Sequence, residues 1–278
     1  MTTLIFSTGS LYTHDLAFAF EVAAEAGFDG VELMLDERYC TRDPDYVQAL
    51  SAQYNLPVLV VHTPFSPRLP GWRAGQIERI EQARALAEQL GAQTQVLHLP
   101  SIIGRGTLRA GRFARHFPAM HPTAITRGWI KRTLPAVQKT TPVRIALENM
   151  PMFHAFGRAW NNTLWNTIAE WSLSHDYLTL DTTHWGTFGL DPLRAYEAAE
   201  GRVVNIHLSN YGVGIEHRLP QDGALDLAGF LRAVAASGYR GTVCTELSPR
   251  ALHFDKGLAE IRARLTETVV FCREHLAV

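Results

Sequence analysis

Four short apolar segments in the second half of the chain each end on a side chain able to hold a metal ion: Val143-Arg-Ile-Ala-Leu-Glu148, Tyr177-Leu-Thr-Leu-Asp181, Arg202-Val-Val-Asn-Ile-His207 and Thr242-Val-Cys-Thr-Glu246. Two earlier segments end the same way, Val58-Leu-Val-Val-His62 and Gln95-Val-Leu-His98. Carboxylates and imidazoles are the ligands of a catalytic divalent ion and the commonest proton carriers. Parallel strands closed into a barrel gather their carboxyl ends at one mouth, where residues far apart in sequence converge. The pattern therefore predicts one site assembled from many strand ends.

The elements that would position such a site are legible as an alternation. Runs rich in Val, Ile and Leu fall at about 4–7, 30–33, 58–62, 95–98, 143–148, 178–181, 203–207 and 242–246, with longer helical patterns between most of them. Eight strand–helix units predict a (β/α)8 barrel. Leu16, Phe20, Ala23 and Ala24 give the first helix its periodicity, Gly27, Gly91 and Gly238 mark helix ends, and Asp191-Pro192 reads as an N-cap followed by a first-turn proline. An open doubly wound sheet would place a glycine-rich phosphate turn after the first strand, and Ser7-Thr-Gly-Ser-Leu11 lacks it.

The chain has 278 residues, close to the roughly 250 usual for this barrel, and no linker or low-complexity tract divides it, so one domain over 1–278 is expected. Hydrophobic residues make up 46% without any run approaching the ~20 needed to cross a bilayer. With no room for a leader before the first strand, a soluble cytoplasmic protein is expected. Cys40, Cys244 and Cys272 lack zinc or redox spacing, so no disulfide is expected. A homo-oligomer is left open.

Net charge is −1, which argues against a polyanion partner. Yet no acidic residue occurs between Glu88 and Glu148, where nine Lys and Arg residues lie. Two readings fit these residues: anion recognition, or solvation of a helix face. Ser101 to His121 reads as a loop over the mouth, with Gly104, Gly106 and Gly111 among Arg105, Arg109, Arg112 and Arg115, and it suggests recognition of a phosphate or carboxylate.

The segments Ala26-Gly-Phe-Asp-Gly-Val-Glu-Leu33, Ala146-Leu-Glu-Asn149, Leu180-Asp-Thr-Thr-His184, Asn205-Ile-His207 and Thr245-Glu-Leu247 resemble the xylose isomerase-like TIM-barrel superfamily over essentially the whole chain. That group contains sugar and sugar-phosphate isomerases and epimerases, inosose dehydratase and endonuclease IV. The resemblance implies a metal site of Glu148, Asp181, His207 and Glu246, suited to Mn2+ or Zn2+ and also to Co2+ or Mg2+. It implies Glu148 and Glu246 as the catalytic pair, one taking a proton and one supplying it next to a polarised carbonyl, and His184 on a substrate hydroxyl.

Endonuclease IV relatives use histidines like His62 and His98 for a second metal that shares the glutamate matching Glu148. His217 is similar to that enzyme's third-zinc histidine, but Ile215 stands where the third site needs an aspartate. Trp160, Trp165, Trp185, Phe153, Phe156 and Phe188 either wall a pocket or seal the helix layer, with Trp185 the candidate wall. Glu32 either contacts substrate or pairs with a mouth arginine. The expectation is a metal-dependent isomerase or epimerase of a small, sugar-like, anionic substrate, with substrate contacts from His184, His217, Glu32, Trp185, Arg105 and Arg109. The alternatives are a zinc-dependent phosphoric ester hydrolase like endonuclease IV and, from a different class, a ligand-binding barrel without turnover. The paired glutamates argue against the last.

Overall fold

The computed structural model describes residues 2–66, 69–73, 75–110, 113–120, 123–155, 157–173 and 175–277, with the backbone alone for 103–110, 113–120, 155, 172 and 173. Among these residues the strands are, in chain order, β1 (Thr3–Ser7), β2 (Gly30–Met34), β3 (Val58–His62), β4 (Thr94–His98), β5 (Ile103–Ala110), β6 (Phe113–Met120), β7 (Arg144–Glu148), β8 (Phe153–Ala155), β9 (Arg158–Trp160), β10 (Leu178–Asp181), β11 (Val203–Leu208), β12 (Asn210–Gly212), β13 (Ile215–Arg218) and β14 (Thr242–Thr245). Eight of them close a barrel in the order β1-β14-β11-β10-β7-β4-β3-β2. All eight neighbouring pairs are parallel. Strands covered on both faces read as continuous apolar runs, which is why the expected strands match these to within a residue or so.

The two-residue period of a strand fixes what fills the lumen. Ile5, Val60, Val96 and Cys244 lie two residues before Ser7, His62, His98 and Glu246, and they form a small buried cluster of their own. The ligand-type side chains thus sit one layer above an apolar plug. A second, larger core joins the outer strand faces to the helices. Register then sets which strand ends face each other: His98 is paired with Glu148 and Asp181 with His207.

Helix ends follow the sequence signals. The helix Leu16–Ala26 stops at Gly27 with φ +90, and Gln76–Leu90 stops at Gly91 with φ +71, a left-handed conformation that glycine adopts without steric cost. Asp191 caps Pro192–Ala198 by accepting the Leu193 N–H. No described helix is long and apolar enough to cross a membrane.

One expectation is corrected. The stretch after β4 is not an irregular loop: β5 and β6 pair antiparallel, with Arg105 opposite Pro118 and Arg109 opposite Ala114. Two further hairpins, β8–β9 and β12–β13, leave the barrel after β7 and β11. Glycines that sit inside a strand ladder are indistinguishable by composition from glycines of a loop, because the pairing partner supplies the order.

Candidate metal centre at the barrel mouth

Glu148, Asp181, His207 and Glu246 each present one ligand-type atom, and these atoms all lie within 4.8 Å of one another. The Nδ1 atom of His207 is 3.0 Å from Glu148 Oε1, 2.9 Å from Glu246 Oε2 and 4.0 Å from Asp181 Oδ2. Asp181 is held by both its backbone and its side chain. Its N–H donates to Asn149 Oδ1 at 2.8 Å, the Asn149 amide donates back to the Asp181 carbonyl at 3.0 Å, and its Oδ1 accepts the His184 N–H at 2.8 Å as the N-cap of Thr182–Thr187. That leaves Oδ2 aimed into the cluster.

The donor set fits a divalent ion. Asp181 Oδ2 and Glu246 Oε2 are buried and have no hydrogen-bond partner among the described residues, although buried carboxylates in proteins are generally paired or bind metal. Glu246 Oε2 lies close to His207 Nδ1, but a single ring proton cannot serve three carboxylates, and the hydrogen bond goes to Glu148. Burial pushes Asp181 well above the usual carboxylate range, and the neighbouring Glu148 and Glu246 charges add to this against the pull of His217. Burial acts on Glu148 in the same sense, but the His207 and His98 rings outweigh it and hold that carboxyl well below its usual range. Glu246 is likewise held down against burial, chiefly by His207. Burial alone would lower His207; Glu32, Glu148 and Glu246 together push it well up. A proton at Nδ1 is the smallest cation such a cluster can recruit, and a divalent ion would meet the same oxygens.

The other histidines gather around this cluster. His62 Nε2 and His98 Nε2 are each 3.2 Å from the same Glu148 Oε2, and their rings meet edge to face at 4.9 Å. The Nδ1 of His62 donates to the Thr63 carbonyl at 2.8 Å and its Nε2 hydrogen-bonds Glu148 Oε2 at 3.2 Å, so Nε2 is the nitrogen turned toward the cluster. His184 donates from Nδ1 to the Asn149 carbonyl at 2.7 Å, and burial lowers its ring to about 3, keeping it neutral. His217 has φ +54, lies with Nδ1 3.2 Å from the Glu246 carbonyl, and packs against His184 at 5.4 Å. Asp181, His184 and His217 form a further trio of ligand-type side chains. Ile215, where a third-metal aspartate would stand, is half exposed on β13.

Two expected substrate contacts, Trp185 and Glu32, are placed differently, and two more lie outside the described side chains. Trp185 is fully buried, stacked edge to face on Trp171 at 5.7 Å and packed against Phe188, so it seals the helix layer and does not wall a pocket. A tryptophan at a strand–helix junction can turn to either side, and its neighbours decide. Glu32 pairs with no arginine among the described residues: it lies fully buried in the lumen, accepting from Ser7 Oγ at 2.9 Å and from His207 Nε2 at 2.8 Å. Arg105 and Arg109 lie on β5, their side chains outside the described residues, as is the whole of Arg112.

A cavity of about 860 Å3 opens beside Glu246 and His217, between the ends of β1, β2 and β14. Tyr12, Met34, Leu35, Phe65, Leu247 and Pro249 give it a largely apolar wall. Among the described residues that line it, the one arginine, Arg38, is committed through Nε to both Asp36 oxygens at 3.0 and 2.8 Å. Sequence reasoning assigned no role to Asn149, Ser7 or Phe65, which tie Asp181, Glu32 and the His62–His98 pair in place. For Asn149 the signal was present, since it directly follows a ligand-type glutamate and its amide can brace the next strand end.

Fold and rim together define a TIM barrel with a carboxylate–imidazole centre at its C-terminal mouth. Residues 20–265 match the family model described as Xylose isomerase-like TIM barrel, and the chain belongs to that family. An uncharacterised protein of Mycobacterium leprae is 31% identical over 97% of this chain and 96% of its own length. An uncharacterised protein of Mycobacterium tuberculosis is 32% identical with the same coverage. Among solved structures, a D-tagatose 3-epimerase-like protein superposes with a TM-score of 0.64 at 19% identity, covering 99% of this chain and 100% of that one. The 3-keto-D-glucoside 4-epimerase of E. coli gives 0.67 at 18% identity, with 97% and 100% covered. An AP endonuclease of family 2 from Brucella melitensis gives 0.69 at 17% identity, with 97% and 99% covered. At these identities the likeness to solved structures is one of fold.

Proposed function

We propose that this protein is a divalent-metal-dependent isomerase or epimerase of a sugar-like hydroxy-carbonyl compound. The observation that carries the reading is the convergence of Glu148, Asp181, His207 and Glu246, with two buried carboxylate oxygens that have no hydrogen-bond partner among the described residues. Structural neighbours described as a D-tagatose 3-epimerase-like protein and an L-ribulose 3-epimerase support it at the level of fold. A divalent ion held by the four would polarise a substrate carbonyl and acidify the adjacent C–H. Glu148 and Glu246 are both held ionised, so either can accept a proton from carbon and return it. Epimerisation needs a proton removed from one face of the carbon and another delivered to the opposite face, so one of the two carboxylates would take the proton from carbon while the other, first protonated by solvent, would supply one. His184, kept neutral, presents its second nitrogen as a hydrogen-bond acceptor for a substrate hydroxyl.

The cavity wall beside Glu246 takes the rest of the substrate. With Arg38 paired to Asp36, an anionic group would be met by Arg105 and Arg109 of the β5–β6 hairpin. Mn2+ and Zn2+ are the ions best suited to the ligand set, with Co2+ and Mg2+ next.

A second reading has its own observation. His62 and His98 both aim Nε2 at Glu148 Oε2, an arrangement that would let a second ion share this carboxylate as a two-metal phosphoric ester hydrolase requires. Titration of metal-stripped protein with Mn2+ and Zn2+ by calorimetry, followed by incubation of ketoses in D2O under NMR, tests both. One equivalent of metal with deuterium entering next to the carbonyl supports the isomerase. Two equivalents with phosphodiester cleavage and no exchange support the hydrolase, and no metal uptake overturns both.

A further inference from the structure

We infer that Glu32, buried in the barrel lumen beneath the candidate metal centre, is a positioning residue that fixes which nitrogen of His207 faces the ligand cluster. The inference rests on the metal-dependent reading above and extends it to a residue outside the ligand set. Its ground is geometric. Glu32 leaves β2 and His207 leaves β11, strands separated in the barrel by β1 and β14, so the contact spans the lumen. Both side chains are fully buried, and His207 Nε2 lies 2.8 Å from Glu32 Oε2.

The other oxygen of Glu32 is also used. Ser7, its register partner on β1, donates from Oγ to Oε1 at 2.9 Å. With Oε1 anchored to Ser7 on one strand, Oε2 is held facing His207 and accepts its N–H. A histidine side chain beside an acceptor-only carboxylate presents N–H there, so the Nε2 of His207 carries a proton. In the metal-free protein Nδ1, 2.9–4.0 Å from Glu246, Glu148 and Asp181, shares a proton with Glu148, and release of that proton when a metal binds leaves the lone pair on Nδ1. Without Glu32 the ring could take the opposite tautomer, which would point an N–H where a ligand lone pair is needed. A carboxylate behind a ligating imidazole also makes the ring a stronger donor, and removing such a partner typically weakens metal affinity by about 10- to 100-fold.

The test is calorimetric titration of metal-stripped wild type, Glu32→Gln and Ser7→Ala with Zn2+ alone, at one pH, together with 15N NMR of the His207 ring in each Zn2+-loaded protein. Expected are a roughly 10- to 100-fold weaker dissociation constant for Glu32→Gln and a roughly two- to tenfold one for Ser7→Ala. In the wild type the spectrum should place the proton on Nε2 and the metal on Nδ1. A merely structural Glu32 would lower the melting temperature while leaving the dissociation constant and the ring nitrogens unchanged, and that result overturns the inference. Should Glu32→Gln fail to fold, Ser7→Ala decides alone, because it keeps the carboxylate and loosens only its anchor; wild-type affinity there is again negative. A wild type that takes up no Zn2+ overturns the metal-dependent reading itself, an outcome separable from the others.

Discussion

Asp181 divides its two oxygens between two jobs, so two substitutions should separate them. Oδ1 caps Thr182–Thr187 by accepting the His184 N–H, and Oδ2 is the buried, partnerless atom facing Glu148, His207 and Glu246. Asp181→Asn keeps a carbonyl oxygen for the cap and replaces the ligand oxygen with an amide. Asp181→Ala removes both. In metal-free protein, Asp181→Asn should melt at or above the wild-type temperature, since it relieves a carboxylate crowded by burial and two like charges. Asp181→Ala should lose about 1 kcal/mol from the cap.

Metal reverses the ranking. Deleting one partner of a buried charge contact costs about 3 kcal/mol, which is roughly a hundredfold in affinity. At a free Mn2+ concentration about 1,000 times the wild-type dissociation constant, binding stabilises the wild type by about 4 kcal/mol and a hundredfold weaker variant by about 1.4 kcal/mol. For a chain of this size about 2 °C accompanies each kcal/mol, so Mn2+ should raise the melting temperature by roughly 8 °C in the wild type and roughly 3 °C in Asp181→Asn. Differential scanning fluorimetry with and without Mn2+ measures both. An undiminished shift in Asp181→Asn would refute the assignment of Oδ2 as a ligand.

Further expectations concern separate parts of the molecule. Removing His62 and His98 together by alanine should abolish any second equivalent of Zn2+ while leaving the first; a wild type that binds only one equivalent would deprive these histidines of a metal role. Trp185→Ala should cost about 3–5 kcal/mol in urea unfolding because it empties a core position, whereas an unchanged midpoint with altered substrate preference would return Trp185 to the pocket wall. Burial pushes His175 down to about 4 from 6.5, so the unfolded chain takes up this proton first and folded stability declines as pH falls through that window, by at most about 1.4 kcal/mol per pH unit. His175→Phe should flatten the melting temperature between pH 6.5 and 4, and parallel profiles would contradict it. Arg105→Ala/Arg109→Ala should raise KM for a phosphorylated substrate about ten- to a hundredfold with little change in kcat, and equal discrimination by both proteins would remove the case for an anionic substrate.

What the amino-acid sequence determined by itself was the barrel and the identity of its rim. Strands buried on both faces cannot alternate polar and apolar residues, so their runs stand out, and a ligand-type residue at the end of six of the eight marks where the chain leaves the apolar lumen. Glu148, Asp181, His207 and Glu246 were legible for that reason, and their convergence follows from parallel closure. Orientation was not legible. That His207 turns Nε2 toward Glu32 and Nδ1 toward the carboxylates depends on a contact across three strand intervals, and no local spacing encodes it. The same holds for Trp185, whose choice between pocket and helix layer was made by Trp171 and Phe188. The β5–β6 ladder likewise exists only once its two strands meet. Local sequence sets which groups a strand end carries, through period and propensity; which way each group turns is a property of neighbours brought together by closure of the barrel, and only the tertiary structure decides it.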